Sequence, residues 1–492
     1  MQGKSILNPP IHFGTDGWRG IIADDFTFDR LAAVAPIAAH ILKQTYGASG
    51  SNTIIVGYDR RFMSDAFAQK TAAAVAAIGF DVLIAEDFAP TPAFSWAACD
   101  RKALGALVIT ASHNPANYSG LKIKGAFGGS VSPDITAKVE EILASGDFVY
   151  SSNQAGTITT FDPWASYCQA LRSKVNIDAI KTAIADGKLT VFADVMHGAA
   201  ASGLSRILEL PSATAKNLIE INGNSDPLFG GGAPEPLPRY IAELFRQVKT
   251  YHRDHPEKTL VGFVFDGDAD RIAAVDSEGN FLSSQILIPI LLEHLAKHRG
   301  FKGELIKTIS GSDLMPKVAA CFDLPVYETP VGYKYIAERM LSGIPCLLGG
   351  EESGGIGYGN HIPERDALLS ALYVLEAIAI SGKDLSVLYR NLQAQTNFFS
   401  HYDRIDKKLS GMAARSRLVK NLEQSSLQEI AGIKVIDVQA PDGFKFRLED
   451  GSWLLIRFSG TEPLLRLYCE AATPELVHQS LHWISNWAEQ FN

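Results

Sequence analysis

Leu104-Gly105-Ala106-Leu107-Val108-Ile109-Thr110-Ala111-Ser112-His113-Asn114-Pro115 is the stretch from which the fold can be read. An apolar, strand-like run breaks at once into a short polar loop. Pro115 ends regular pairing, and Asn114 and Ser112 bring the compact polar side chains that tight turns use. The reading is a strand that empties into an exposed turn and lifts the Ser112 hydroxyl clear of the sheet edge. Alone, such a turn is an ordinary connection between two elements. Other segments of the chain answer it.

Leu260 to Phe265 runs into Asp266-Gly267-Asp268-Ala269-Asp270-Arg271. Three carboxylates at alternate positions, spaced by small residues, can converge on one hard cation, and all-oxygen ligands of this kind suit Mg²⁺. That ion keeps open positions for water or a phosphate oxygen, and Arg271 adds a positive charge for the same anion. An EF-hand calcium loop is excluded: Arg271 stands where the sharp turn needs Gly, and Ser277 where a bidentate Glu is required. A third apolar run, Cys346-Leu347-Leu348, leads into Gly349-Gly350-Glu351-Glu352-Ser353-Gly354-Gly355. Its glycines let backbone approach a small polar ligand, and Glu351 and Ser353 suit vicinal hydroxyls.

Two arginine loops complete the set. Arg457-Phe458-Ser459-Gly460-Thr461-Glu462-Pro463, with Arg466 just beyond, combines hydroxyls, a Gly and a guanidinium fork into an anion nest. Gly14-Thr15-Asp16-Gly17-Trp18-Arg19-Gly20 has the same character near the start of the chain.

Short β-branched runs at Thr53–Gly57, Asp81–Ala85, Leu189–Ala193 and Val261–Phe265 alternate with helical patterns such as Asp366–Gly382. That alternation predicts α/β units with mixed or parallel sheets. A strand emptying into a functional loop three times predicts three similar domains, each offering a strand end to one cleft. The C-terminal part differs. Phe444–Leu448, Asp450-Gly451 and Trp453–Phe458 read as a hairpin with a two-residue turn, and Pro474 to Glu489 as a closing helix. The expected fold is α/β, with four domains around a central cleft: three similar mixed-sheet α/β domains at about 1–155, 156–278 and 279–395, and a smaller α+β domain at about 396–492.

Of the 492 residues, 46% are apolar and 20% charged, the ordinary balance of a soluble enzyme. A formal charge of −9 argues against a nucleic-acid or membrane partner, so a phosphate must be held by local Arg and Lys. The five cysteines are scattered without metal spacing, as in a reduced cytoplasmic protein. No signal pattern opens the chain, and no apolar run approaches the ~18 residues of a membrane span.

In this order, the five loops resemble the α-D-phosphohexomutase superfamily, most closely its bacterial phosphoglucomutase/phosphomannomutase members. The resemblance covers almost the whole chain, with supporting matches at Pro90-Thr91-Pro92, Gly120-Leu121-Lys122, His197-Gly198 and Thr329-Pro330-Val331-Gly332-Tyr333-Lys334. It implies a Mg²⁺-dependent mutase that interconverts hexose 1-phosphate and hexose 6-phosphate, the hexose being glucose or mannose, through a phosphoserine and a hexose 1,6-bisphosphate. Ser112 is implied to carry the phosphoryl group, with the metal held by that group and by Asp266, Asp268 and Asp270. Lys122 is implied to act near the reacting oxygen, with Arg19, His113 and Arg271 around the phosphoserine. Glu351 and Ser353 are implied to grip the sugar, Lys334 to supply a cation in the specificity loop, and Arg457, Ser459, Gly460, Thr461 and Arg466 to hold the other phosphate. The implied partners are hexose phosphates and a hexose bisphosphate, for a monomer or homodimer.

One position departs from the pattern. Gly355 stands where several relatives carry His, and His361, six residues on, is the candidate to reach the same space. The departure leaves room for a glucose-1,6-bisphosphate synthase, which would release the bisphosphate rather than isomerise. An amino-sugar mutase ranks lower on the wording of the sugar loop. A non-catalytic phosphosugar sensor ranks lowest, because Ser112, Lys122 and the three aspartates are all present.

Overall fold

Gly105–Ile109 is a strand buried along its whole length, as an apolar run without alternation requires when both sheet faces are covered. In the computed structural model, which describes residues 9–491 apart from 15, 147, 149–153, 212, 425–426 and 460–462, it lies inside the first of four sheets. That sheet orders Trp18–Ile21, Tyr118–Gly125, Gly105–Ile109, Thr53–Tyr58, Asp81–Ala85 and Ile158–Phe161. Gly105–Ile109 pairs in parallel with Thr53–Tyr58, and Tyr118–Gly125 returns antiparallel to it.

The next two sheets repeat this connection. In the second, Leu189–Asp194 is parallel to Thr259–Phe265, and Ile272–Val275 returns antiparallel. In the third, Glu304–Thr308 is parallel to Cys346–Gly350, and Ile356–Tyr358 returns antiparallel. The pairs Ile109↔Leu121, Phe265↔Ile272 and Gly350↔Ile356 close the three loops at the same place in each sheet. The loops of Ser112, of Asp266–Arg271 and of Glu351–Ser353 are therefore equivalents, one per domain.

Two short strands extend the first two sheets past the divisions expected near 155 and 278. Ile158–Phe161 pairs with Asp81–Ala85 and so belongs to the first sheet, beyond the break expected near 155. Its mostly exposed residues carry no apolar alternation that would have marked it. Phe281–Leu282 likewise adds to the second sheet beyond 278, a two-residue strand too short to read.

The C-terminal sheet is antiparallel throughout, ordering His401–Lys408, Leu464–Ala471, Trp453–Phe458, Phe444–Leu448, Ile433–Gln439 and Glu429–Ile430. Helices Met412–Gln424 and Pro474–Glu489 bury Leu418 and Ile484 against it. The expected hairpin forms, but its turn is longer than two residues. Leu448 N–H donates to Ser452 O (2.9 Å), and Gly451 takes a left-handed φ of +85° between them. A residue with φ > 0 ending a three-residue loop is the next commonest way to join two strands.

The first domain has its own core around Trp18, Phe26 and Phe67. A second core is continuous across the first three domains, from Phe94 through Tyr167 and Leu204 to Leu287 and Leu368. The fourth domain packs a separate core and meets the third through Ile309, Trp453, Leu455 and Tyr468. Among the described residues, no helix is long and apolar enough to cross a membrane.

Asp366 shows how the domains are stitched. It caps helix Ala367–Ser381 by accepting from Leu369 N–H (2.9 Å), and it accepts from Tyr167 Oη of the second domain at 2.9 Å on each oxygen. His361 Nε2 lies 3.1 Å from the same carboxylate, and the imidazole stacks on Trp96. Asp366→Ala removes a cap worth about 1 kcal/mol and leaves the buried tyrosine hydroxyl unpaired at about 1–3 kcal/mol. The first thermal unfolding transition should therefore fall by several degrees in calorimetry, whereas a surface change such as Asp186→Ala should leave it in place.

Candidate active site

The serine loop is not the exposed turn its polar composition suggests. Ser112 is fully buried, with a left-handed φ of 52°. Thr110 Oγ1 accepts from its N–H (2.9 Å), and Arg61 secures the loop from below. That guanidinium donates to the carbonyls of Ser112 and Asn114 (2.6 Å each), Pro115 (2.9 Å) and Tyr118 (3.1 Å). The loop is covered because the metal loop of the second domain lies directly on it. Gly267 makes the approach possible: a Cβ there would run into the Ser112 carbonyl and come within 3.0 Å of Pro234.

Ser112 Oγ donates to Asp266 Oδ2 at 2.9 Å. The other Asp266 oxygen accepts from the N–H groups of Asp270 (3.0 Å) and Arg271 (3.1 Å), which curls the loop into a tight turn. Ligand oxygens of Asp266, Asp268 and Asp270 all lie within 4.8 Å of one another, and all three residues are buried. Asp268 Oδ1 and Asp270 Oδ1 are buried without a hydrogen-bond partner. Orphaned carboxylate oxygens converging beside a hydroxyl are what a hard divalent cation satisfies, so the donor set fits Mg²⁺.

The remaining oxygens are taken up by cations. Lys122 Nζ donates to Asp16 Oδ2 (2.7 Å), Asp268 Oδ2 (2.8 Å) and Asp270 Oδ2 (2.9 Å). Thr91 Oγ1 donates to Asp268 Oδ2 (2.6 Å), which explains the Pro90-Thr91-Pro92 motif. Arg365 Nη2 donates to Asp16 Oδ2 and Asp270 Oδ2 (2.6 Å each), and its Nη1 to Glu351 Oε1 (3.1 Å).

Titration follows from these contacts. Burial, then repulsion from Asp270 and Asp268, pushes the Asp266 carboxyl well above the usual carboxylate range. Burial also works against the Asp268 charge, but the Lys122 ammonium and the Lys122 and Thr91 hydrogen bonds outweigh it and hold that group below its ordinary value. The Lys122 ammonium, penalised by burial, is raised by Asp16, Asp268 and Asp270. His113 Nδ1 lies 3.5 Å from Ser112 Oγ. Burial first, then Arg271 and Arg19, depress its pKa well below the usual imidazole value.

Arg19 donates to Asn114 Oδ1 (2.7 Å), at the rim of the serine loop. Arg271 Nε lies 3.8 Å from Asp270 Oδ1 and has no hydrogen-bond partner there. Glu351 accepts from Ser353 Oγ on Oε1 (2.7 Å), and the sugar loop docks on the metal loop where Gly354 O accepts from Ile272 N–H (3.0 Å). Serine loop, metal loop and sugar loop thus meet at one place.

The phosphate loop is less closely joined to them. Gly460 and Thr461 lie outside the described residues. Arg457 and Arg466 stand directly opposite each other on adjacent strands, and Ser459 N–H donates to Leu464 O (3.0 Å). Asp442 Oδ2 accepts from both Arg457 Nε (2.8 Å) and Val331 N–H (2.9 Å), tying this loop to the specificity loop. Lys334 opens helix Tyr333–Met340 with its ammonium 4.8 Å from the Tyr335 ring, and makes no described bond to the cluster.

His361 does not reach the space beside Gly355, because Asp366 and Trp96 hold it elsewhere. Asp16, Arg61, Thr91 and Arg365 belong to the site without having been singled out as site residues. Asp16 and Thr91 sit inside motifs quoted from the sequence. Arg61 and Arg365 sit in runs whose only local signal is a charged pair.

Four strand-end loops, a buried hydroxyl, a carboxylate cage and paired arginines together define a phosphotransferase of the mutase type. The comparisons with known proteins agree. Models of phosphoglucomutase/phosphomannomutase match in all four parts: alpha/beta/alpha domain I at residues 10–150, domain II at 165–279, domain III at 283–396 and the C-terminal domain at 415–484. The chain belongs to the phosphoglucomutase/phosphomannomutase family. It is 29% identical to a phosphoglucomutase/phosphomannomutase of Thermococcus kodakarensis, over 95% of this chain and 96% of that protein. It is 30% identical to a probable phosphoglucosamine mutase of Methanosphaera stadtmanae, over 98% of each. A solved structure described as a phosphomannomutase of Thermus thermophilus superposes with a TM-score of 0.82 at 32% identity, covering 98% of this chain and 99% of that one.

Thr91→Val should weaken Mg²⁺ binding roughly 10–100-fold, since it removes the hydroxyl that orients Asp268. Calorimetric titration of the metal measures this. An unchanged affinity would remove Thr91 from the account of the cage.

Proposed function

We propose that this protein interconverts hexose 1-phosphate and hexose 6-phosphate, with glucose and mannose as the leading sugars, by way of a phosphorylated Ser112 and a hexose 1,6-bisphosphate. The observation that carries the reading is the 2.9 Å contact between Ser112 of the first domain and Asp266 of the second, inside a cluster of buried charge. A nucleophile beside a carboxylate cage is what stepwise phosphoryl transfer needs, because the reaction depends on in-line placement and on cancelling charge on the transferring group.

Each loop has a task in that scheme. The phosphoryl group leaves Ser112 Oγ for one hydroxyl oxygen of a hexose monophosphate, forming the bisphosphate. Ser112 Oγ then takes the other phosphoryl group, and the product monophosphate leaves. Asp266, Asp268 and Asp270 would hold Mg²⁺, which supplies Lewis-acid cancellation of phosphate charge when bound. Lys122 and Arg271 add fixed positive charge beside the same group, and His113 Nδ1, 3.5 Å from Ser112 Oγ, can share a hydrogen bond with the serine oxygen. Glu351 and Ser353 grip hydroxyls. Arg457, Ser459 and Arg466, with Gly460 and Thr461, hold the phosphate that is not reacting. Burial of Ser112 excludes the water that would otherwise hydrolyse its ester.

The names of the relatives divide between glucose or mannose and glucosamine, so the sugar is the finer question. The Glu351 carboxylate accepts from a hydroxyl or from an ammonium alike, so the choice of sugar rests on the assay. Ser112→Ala should abolish conversion of glucose 1-phosphate to glucose 6-phosphate, and retained turnover would end the reading. Glucose, mannose and glucosamine 1-phosphates should be assayed side by side, each with and without added hexose bisphosphate. The plain hexoses should turn over fastest, whereas preferential turnover of glucosamine 1-phosphate would reassign the substrate. Accumulation of glucose 1,6-bisphosphate in place of equilibrated monophosphates would identify a synthase instead.

A further inference from the structure

Gly355 and Arg365 explain each other. A Cβ at 355 would fall inside the Arg365 Cδ and within 3.0 Å of Glu351 Oε1, so the arginine stem fills the room that any side chain at 355 would need. Arg365 is 5% exposed, and its fork reaches one carboxylate in each of three domains: Asp16 and Asp270 through Nη2, and Glu351 through Nη1. Asp16 and Asp270 are held independently by Lys122, so they form a fixed base from which the guanidinium extends to the sugar loop.

We propose that Arg365 is a positioning residue for the sugar. It ties Glu351 to the metal loop, so that the hexose is gripped in register with Ser112 whichever end it presents, and Gly355 is required because the arginine occupies its space. Both described bonds to the Glu351 carboxylate fall on Oε1, one from Arg365 and one from Ser353. That leaves Oε2 as the acceptor for a sugar hydroxyl. Lysine cannot replace the arginine here, because a single ammonium has no planar fork to span the three carboxylates. This inference rests on the mutase reading above.

The test is a pair of double-mutant cycles on steady-state kinetics with glucose 1-phosphate. Arg365→Lys should raise KM and lower kcat/KM by about 100-fold, the scale of a misplacement near 1 Å. If Arg365 acts through Glu351, adding Glu351→Gln to Arg365→Lys should cost little beyond the more damaging single change. Multiplying losses would overturn the proposal, as would a wild-type KM in Arg365→Lys. In the second cycle, Gly355→Ala should impair the native protein but be nearly neutral in an Arg365→Ala background, where the space is free. Equal impairment in both backgrounds would also overturn it. Circular dichroism melts report whether each variant folds, and if the Arg365 variants do not, Gly355→Ala alone decides: a wild-type kcat/KM refutes the steric half. Absence of mutase turnover in the unmodified protein would instead strike the function and leave these cycles without a substrate, which keeps the two failures apart.

Discussion

Five buried or nearly buried carboxylates, from Asp16, Asp266, Asp268, Asp270 and Glu351, crowd into one small volume, and the structure depends on how their charge is balanced. Asp16 is the least covered of them, and burial there is outweighed by Lys122, Lys124 and Arg365, which hold its carboxyl low. Breaking a buried pair by deleting one partner typically costs about 3–5 kcal/mol, because the other charge is left uncompensated. Such a cluster adds little as pure stability, since well-packed apolar residues would do as well. Its presence at the meeting point of three domains is better accounted for by chemistry that needs negative ligands and positive counter-charges held ready.

The same balance positions the domains. Lys122 joins the first domain to the second, Arg365 joins the first three, and Lys124 reaches Glu364 of the third at 2.5 Å. Backbone contacts reinforce them: Thr91 N–H donates to Asp268 O (3.0 Å), and Ile272 N–H to Gly354 O (3.0 Å). The loops are thus set relative to one another to within hydrogen-bond tolerance, which phosphoryl transfer requires and which a hydrophobic core alone does not enforce.

The fourth domain is attached differently. Its core is separate, and its polar ties to the third are spread along the boundary: Glu470 accepts from Ser312 and Asp313 N–H, Glu352 from Tyr468 (3.3 Å), Asp442 from Val331 N–H (2.9 Å) and Asp313 from Arg447, while Lys445 Nζ donates to Ile309 O (2.6 Å). Glu352, adjacent to Glu351, thereby links the Glu351–Ser353 loop to the domain that carries Arg457.

The amino-acid sequence alone determined the number of domains, the strand–loop plan repeated three times, and that Ser112 and the three aspartates stand in the loops that follow those strands. These are local properties: an apolar run followed by a polar turn has few alternatives, and acids at alternate positions carry their spacing with them. Two features escaped it. The edge strand Ile158–Phe161 was silent because pairing with the distant Asp81–Ala85, not its own composition, makes it a strand, and Phe281–Leu282 because two residues are too few to show a pattern. Arg61 and Arg365 were silent because a guanidinium's role is set by which carbonyls or carboxylates lie at its tip, and those come from residues far along the chain. Tertiary structure likewise decided that Ser112 is buried, that His361 meets Asp366 instead of the Glu351–Ser353 loop, and that the Arg365 stem fills the space a side chain at 355 would need. Each depends on which atoms fill a shared volume, and that is settled only when separate segments fold together.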